Sequence, residues 1–179
     1  MANAILVADM IKGFCEPGHP LYVGDSIRAI IPKVQQLLDR ELNQGSRIFY
    51  ICDTHTPNDP EFKMFLPHCI EGTEETEVIP ELASFPGEII RKHRYSAFFT
   101  TDLEQRLREM QPDKLILCGD CTSICVLFTA ADAVNRGFPV EVYSDCVDDF
   151  DPEAHVFALR HMEKVLGVRL KNLEEGRQH

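Results

Sequence analysis

The chain has 179 residues, 44% of them hydrophobic and 26% charged, a balance typical of a globular domain that buries its own core. Its formal net charge is −11 and it has no Lys/Arg cluster, which argues against nucleic acid or an anionic membrane as a partner. There is no secretory leader and no apolar run near the ~20 residues of a bilayer span, so a cytoplasmic location with reduced cysteines is expected.

Short apolar runs alternate along the chain with amphipathic stretches, the pattern of parallel βαβ units. Strands are predicted at 4–9, 47–53, 88–92, 114–119, 140–145 and 168–173, and helices at 25–43, 101–110, 122–136 and 152–166. No repeat or linker divides residues 1–179, so we expect one α/β domain with a frayed tail at 171–179. Its predicted architecture is three-layer α/β/α, with a mainly parallel, doubly wound, Rossmann-like sheet of about six strands.

A long irregular segment, 54–86, separates the second and third predicted strands and contains five prolines and two histidines. A stretch of this length inside a compact domain is usually either disordered or functional. Its aromatic and apolar residues, among them Phe62 and Phe65, argue against disorder. We therefore expect 54–86 to bind a metal ion and to cover the substrate.

Four chemically competent side chains follow successive predicted strands. Asp9, Asp53 and Lys92 end the first three strands, and Cys125 follows the fourth after a short turn. In open parallel sheets the ligand binds beyond the carboxyl ends of the strands, so these side chains are expected to meet at one edge. Each residue alone is unremarkable there, and only the combination favours a site.

Cys125 has the sequence context of an activated nucleophile. It lies between the turn GDCTS and an apolar helix, so its sulfur is expected near a helix N-terminus, where a thiolate is favoured. Lys92 is expected to lower the pKa of this thiol further, and Asp9 to accept its proton. The backbone N–H groups of Cys121 and Cys125 are candidates for an oxyanion hole.

Two other interpretations of the cysteines stay open. Cys118, Cys121 and Cys125 form a C-x₂-C-x₃-C pattern, but no second pair follows at a spacing suited to structural zinc. A purely structural role for all three thiols is the plain alternative. A redox motif is disfavoured because this CxxC begins inside a strand.

A second cluster of polar residues suits a metal ion. Asp53 and His55 are at positions i and i+2, so an extended backbone directs both to one side. Glu61 and His68 lie in the segment that folds back over the strand ends. Two imidazoles with two carboxylates suit one divalent Zn, Mn or Fe ion, although such residues are often only solvated loop side chains.

These residues lie in motifs that resemble a known family. DMIKGFC matches its strand-one motif, KHRYSAFFTTDL its lysine motif and GDCTSICVLFTAADA its nucleophile motif, while D-T-H with PHCIEGT matches its metal signature. Over nearly the whole chain the sequence resembles the isochorismatase-like cysteine hydrolases, and within them the nicotinamidases.

The resemblance implies a catalytic triad of Asp9, Lys92 and Cys125 that hydrolyses nicotinamide to nicotinate and ammonia through a thioester, in NAD salvage. It implies a metal ion, with zinc preferred, held by Asp53 and by the other three candidate ligands to bind the pyridine nitrogen. It also implies a cis peptide bond before Cys121 and a ring pocket lined by Phe14, Phe65 and Tyr95.

The chain departs from the family pattern at several positions. Met10 and Gly13 replace a frequent glutamine and a frequent acidic residue, and Asp120 and Cys121 stand where small apolar residues are usual. An inward-pointing Asp120 would raise the pKa of the nucleophile. Asp59 is an alternative to Glu61 as the acidic metal ligand.

Three further functions are kept as alternatives. A hydrolase of another small amide or ureido compound would not need the metal, and a non-catalytic binding protein would not need the intact triad. Isochorismate hydrolysis is disfavoured because it requires no cysteine nucleophile. The expected partner is a small molecule, and assembly into a homo-oligomer is compatible with the sequence.

Overall fold

The computed structural model of the protein describes residues 2–174 and contains a six-stranded sheet in the order β3-β2-β1-β4-β5-β6, with parallel pairing throughout. The strands are β1 (Ala4–Ala8), β2 (Arg47–Asp53), β3 (Gly87–Lys92), β4 (Leu115–Asp120), β5 (Val140–Asp148) and β6 (Arg169–Lys171). The helices are α1 (Lys12–Cys15), α2 (Asp25–Asn43), α3 (Leu103–Met110), α4 (Leu127–Asn135) and α5 (Pro152–Leu166). The predicted α/β class and doubly wound parallel sheet are confirmed.

The central strand β1 is buried on both faces, as expected for a parallel sheet covered by helices. One apolar cluster packs α3, α4 and α5 on one face of the sheet. The other face is covered mainly by α2, whose buried positions include Ile27, Val34 and Leu38 at helical spacing. This arrangement leaves the carboxyl ends of the strands free to carry polar groups.

The helix ends show where side-chain capping acts. Asp151 caps α5 as its sequence indicates, accepting hydrogen bonds from the N–H groups of Glu153 and Ala154. Helix α2 begins without a side-chain cap although Asp25 and Ser26 open its sequence, because Gly24 occupies the N-cap. The predicted helix 122–136 divides into a π-helical turn, Thr122–Val126, followed by α4.

The segment 54–86 is ordered by two 3₁₀ turns, Pro60–Lys63 and Glu74–Thr76, and by backbone bonds between His55 and the chain near Cys69. Among residues 2–174, no helix has the length and apolar character needed to cross a bilayer.

The predicted frayed tail, 171–179, lies only partly within the described residues. Lys171 ends β6, and Leu173 is buried with its N–H donating to the Asp145 carboxylate at 3.2 Å, so these positions are packed. Residues 175–179 lie outside the described part of the chain.

Gly119 of β4 pairs with Ala8 of β1 and leaves no room for a side chain. Its φ is +108°, and a Cβ at this position would lie 2.0 Å from the carbonyl oxygen of Ala8. Gly119→Ala is therefore expected to lower the free energy of unfolding by about 3 kcal/mol or more, measured by urea denaturation.

Gly45→Ala is the matched control, because Gly45 has φ +85° but nothing within 4 Å of the added Cβ. It carries only the backbone strain, about 1 kcal/mol. Equal losses in the two variants would contradict the steric role of Gly119.

Candidate active site and metal centre

A buried lysine lies at the centre of the carboxyl edge of the sheet. The Lys92 Nζ is 2.8 Å from Asp53 Oδ1 and 3.1 Å from Asp9 Oδ2, and all three residues are at most 4% exposed. The β2–β3 register pairs Asp53 directly with Lys92. The parallel pairing thus brings together three of the four strand-end residues that the sequence singled out.

Asp9 is held on both sides. Its backbone has φ +51°, its Oδ1 accepts the N–H of Asp53 at 2.9 Å, and its Oδ2 faces Lys92. Burial raises the pKa of Asp9, and repulsion from Asp53 adds to this, while Lys92 opposes it. The pKa of Lys92 is held well above its usual value because the two carboxylates outweigh the burial that would lower it.

Cys125 is buried against the same charges. Burial raises the pKa of its thiol well above the usual value, and the Asp9 carboxylate raises it further, with Lys92 acting in the opposite direction. Lys92 lowers this pKa as expected, but the expected net lowering is not found, because burial and the neighbouring Asp9 carboxylate outweigh Lys92. The resting group is a thiol that needs a base.

The turn that carries Cys125 is fixed from outside. The N–H of Ser123 donates to Asp149 Oδ2 at 2.8 Å, and the Thr122 hydroxyl pairs with the His155 ring at 2.8 Å. The Asp120–Cys121 peptide bond is cis, as the resemblance implies. Within residues 2–174 the N–H of Cys121 makes no hydrogen bond, so it is free to bind an oxyanion.

Asp120 is buried under this turn. Its oxygens lie 3.7 Å from the Cys15 sulfur and 4.0 Å from the Cys121 sulfur. Burial, with repulsion from Asp9, raises the pKa of Asp120 well above its usual value, which favours the protonated form of this carboxyl group. The carboxylates of Asp9 and Asp53 raise the pKa of the Cys125 thiol.

The four predicted metal ligands form one cluster. Asp53, His55, Glu61 and His68 offer ligand atoms that all lie within 4.8 Å of one another. Asp53 Oδ2 is 2.7 Å from His55 Nε2 and 3.3 Å from His68 Nε2. Asp59 lies behind His55, next to Nδ1, and is not in the cluster, so geometry favours Glu61 over Asp59 as the acidic ligand.

The donor set fits a transition metal. His68 Nδ1 donates to the Leu66 carbonyl oxygen at 2.7 Å, so in the neutral ring Nε2, which lies 3.3 Å from Asp53 Oδ2, is the nitrogen available to a metal ion. Two imidazole nitrogens and two carboxylates in a buried pocket suit zinc, manganese or iron. The fit is independent of the cysteines, and the seven thiols form no disulfide.

A cavity of about 270 Å³ joins the thiol to the metal-type cluster. It is small beside the roughly 300–1,000 Å³ of pockets for larger ligands, so it suits a single-ring molecule. Its lining includes all three aromatic residues predicted for the ring pocket, Phe14, Phe65 and Tyr95, together with Asp9, Asp53, Glu61, His68, Asp120, Cys121 and Cys125.

Part of this lining was not predicted from the sequence. The loop 20–23, Ile124 and Phe150 complete the cavity wall. An apolar LYV next to Gly24 is a weak sequence signal for a covering loop, whereas nothing in the sequence places Phe150 beside the turn of Cys125.

Comparisons with known proteins show which family the chain belongs to. The family model described as Isochorismatase domain matches residues 3–171. The chain belongs to the isochorismatase family. This family membership, with the arrangement at the strand ends, makes it an isochorismatase-like hydrolase.

Three solved structures of isochorismatase relatives cover nearly the whole chain. A pyrazinamidase/nicotinamidase from Streptococcus mutans is 35% identical, covers 95% of this chain and 100% of its own, and has a TM-score of 0.90. A Pyrococcus horikoshii pyrazinamidase in complex with zinc is 31% identical, covers 97% of this chain and 100% of its own, and has a TM-score of 0.88. An N-carbamoylsarcosine amidase from Thermoplasma acidophilum is 29% identical, covers 96% of this chain and 96% of its own, and has a TM-score of 0.86.

Replacing Asp9 by asparagine is expected to make Cys125 more reactive toward iodoacetamide at pH 7. The substitution keeps an oxygen to accept the Asp53 N–H but removes the charge that raises the pKa of the thiol. Alkylation at Cys125, followed by mass spectrometry, should be severalfold faster than in the wild type. Slower alkylation would contradict the electrostatic role of Asp9; Cys125→Ser gives the background.

Zinc binding at pH 7 is expected to release about one proton. His55, held between Asp53 and Asp59 despite burial that opposes its charge, has its pKa raised to about 9, and a ligand imidazole must be neutral. Without metal, this proton stabilises the fold fully below the unfolded pKa of about 6.5 and is lost as the pH rises through 9.

Titration calorimetry in two buffers of different ionisation heat measures this release. The apparent binding heat should differ between the buffers at pH 7 and converge as the pH approaches 10. A heat independent of the buffer at pH 7 would contradict a protonated His55.

Proposed function

We propose that the protein is a nicotinamidase that hydrolyses nicotinamide to nicotinate and ammonia through a thioester on Cys125. The observation that carries the proposal is the joining of the Cys125 thiol and the four-residue metal-type cluster by one small cavity with aromatic walls. A cytoplasmic role in NAD salvage belongs to the same proposal. The relatives whose names include nicotinamidase or pyrazinamidase support it.

The reaction begins with proton transfer from Cys125 to Asp9. The raised pKa of Asp9 brings it closer to that of the thiol and makes the transfer less unfavourable than it would be for an ordinary aspartate. The sulfur attacks the carboxamide carbon, and the N–H groups of Cys121 and Cys125 stabilise the resulting oxyanion. Asp9 returns the proton to the departing ammonia, and water deprotonated by Asp9 then hydrolyses the thioester.

Lys92 stabilises the anionic forms of Asp9 and Asp53 throughout and stays charged, since its own pKa is raised. A divalent metal ion, zinc by preference, held by Asp53 and the three other ligands would bind the pyridine nitrogen and orient the ring. Phe14, Phe65 and Tyr95 enclose that ring, and the rings of Phe14 and His68 lie 5.7 Å apart.

Ammonia release from nicotinamide by the purified protein tests the proposal. We expect turnover with zinc bound. It should fall by a factor of about 10³ or more in Cys125→Ala, and it should fall on chelation because the substrate ring loses the metal ion that orients it. Asp102→Asn, which changes an exposed carboxylate that pairs with Arg106 and does not line the cavity, should be unaffected.

Other outcomes distinguish the alternatives. Turnover that ignores the chelator would remove the metal from the proposal. No ammonia from nicotinamide, even with zinc, manganese or iron supplied, would contradict the nicotinamidase and leave an isochorismatase-like hydrolase of another small amide or ureido compound. That result would be followed by a substrate panel with the same variants.

A further inference from the structure

We propose that Asp59 is a positioning residue that holds two of the four metal ligands, His55 and Glu61, in binding geometry. The inference rests on the metal centre of the proposed function. Asp59 immediately precedes the 3₁₀ turn Pro60–Lys63, and its side chain is only 5% exposed. It lies outside the ligand cluster itself, so its carboxylate acts through its neighbours.

The first contact fixes the ligand nitrogen of His55. Asp59 Oδ2 lies 3.0 Å from His55 Nδ1, while Nε2 of the same ring lies 2.7 Å from Asp53 Oδ2 inside the cluster. A carboxylate only accepts hydrogen bonds, so the single proton of a metal-ligating imidazole is held on Nδ1. Nε2 is thereby left with its lone pair directed at the metal position.

The second contact fixes the approach of Glu61. Asp59 Oδ1 accepts the N–H of Glu61 at 2.9 Å and caps the 3₁₀ turn that carries this residue. Glu61 Oε2 is consequently on the His55 side of the loop, 3.8 Å from its Nε2. One carboxylate therefore orients a ligand from each end of the segment 55–61.

Arg94 supports the carboxylate from the opposite side. Its Nη1 lies 3.2 Å from Oδ1 and 3.0 Å from Oδ2 of Asp59, and it enters from the chain just beyond Lys92. The Arg94 side chain is 41% exposed, so water shares its charge. The contribution of Arg94 to the positioning of the metal ligands is therefore smaller than that of Asp59.

Asp59→Asn keeps the shape of the side chain but removes its ability to accept hydrogen bonds from both His55 and Glu61. The amide can accept the Glu61 N–H or the Nδ1–H of His55, but its NH₂ group then faces the other donor, so neither orientation satisfies both contacts. We expect zinc affinity, measured by competition with a chromophoric chelator, to fall by about 10- to 100-fold. Arg94→Gln should give a smaller fall, and Asp102→Asn, whose Arg106 pair is remote, none.

Two further readouts exclude a general loss of structure and failure of the substrate assignment. Thermal unfolding of the metal-free variant should remain cooperative, and the visible spectrum of bound Co²⁺ should change in Asp59→Asn but not in Asp102→Asn. Because neither readout uses nicotinamide, the result stands whatever amide the enzyme hydrolyses. Unchanged zinc affinity and Co²⁺ spectrum in Asp59→Asn would overturn the role, as would a wild-type chain that binds no zinc.

Discussion

The site depends on one ammonium group that is removed from water. Lys92 is fully buried, and burial of a charge is costly unless partners replace the lost hydration. Asp53 and Asp9 supply that replacement at 2.8 and 3.1 Å, and each belongs to a different chemical half of the site. Asp53 faces the imidazoles, and Asp9 faces the thiol. The electrostatic state of either half therefore affects the other through Lys92.

This coupling explains why the pKa of the Cys125 thiol is raised, which disfavours a thiolate in the resting site. A negative sulfur beside Asp9 and Asp53 would place three anions around a single ammonium in a region of low dielectric. In the proposed mechanism the proton therefore stays on sulfur until it is passed to Asp9. A thiol held in this way is less open to alkylating and oxidising agents than a thiolate would be, because the thiolate is the reactive form.

Much of the fold follows from sequence. The alternation of apolar and amphipathic runs gives the six strands to within three residues at each end, and it gives the main helices apart from the π-helical start of the one after β4. The parallel arrangement then places Asp9, Asp53 and Lys92 at one edge. These predictions succeed because they depend on local periodicity and on one topological rule.

The acidic metal ligand and the pKa shifts could not be predicted from the sequence, because they depend on tertiary contacts. The choice of Glu61 over Asp59 follows from a 3₁₀ turn that Asp59 caps, and Asp59 is itself paired with Arg94, a residue more than thirty positions away. The pKa direction of Cys125 follows from burial, which no local pattern reports. The same is true of Asp120, where the sequence indicates an extra carboxyl group but not the burial that raises its pKa.

The walls of the cavity have a different origin from the reacting groups. Asp9, Asp53 and Lys92 are on sheet strands or directly after them, where backbone hydrogen bonding fixes their spacing, whereas the loop 20–23 and Phe65 belong to connecting segments. Connecting segments tolerate substitution and insertion far better than central strands do. Selection can therefore reshape the enclosure while the proton-transfer and nucleophilic apparatus persists. One ancestral scaffold can in this way give rise to enzymes for chemically distinct amides, with the same sheet beneath each of them.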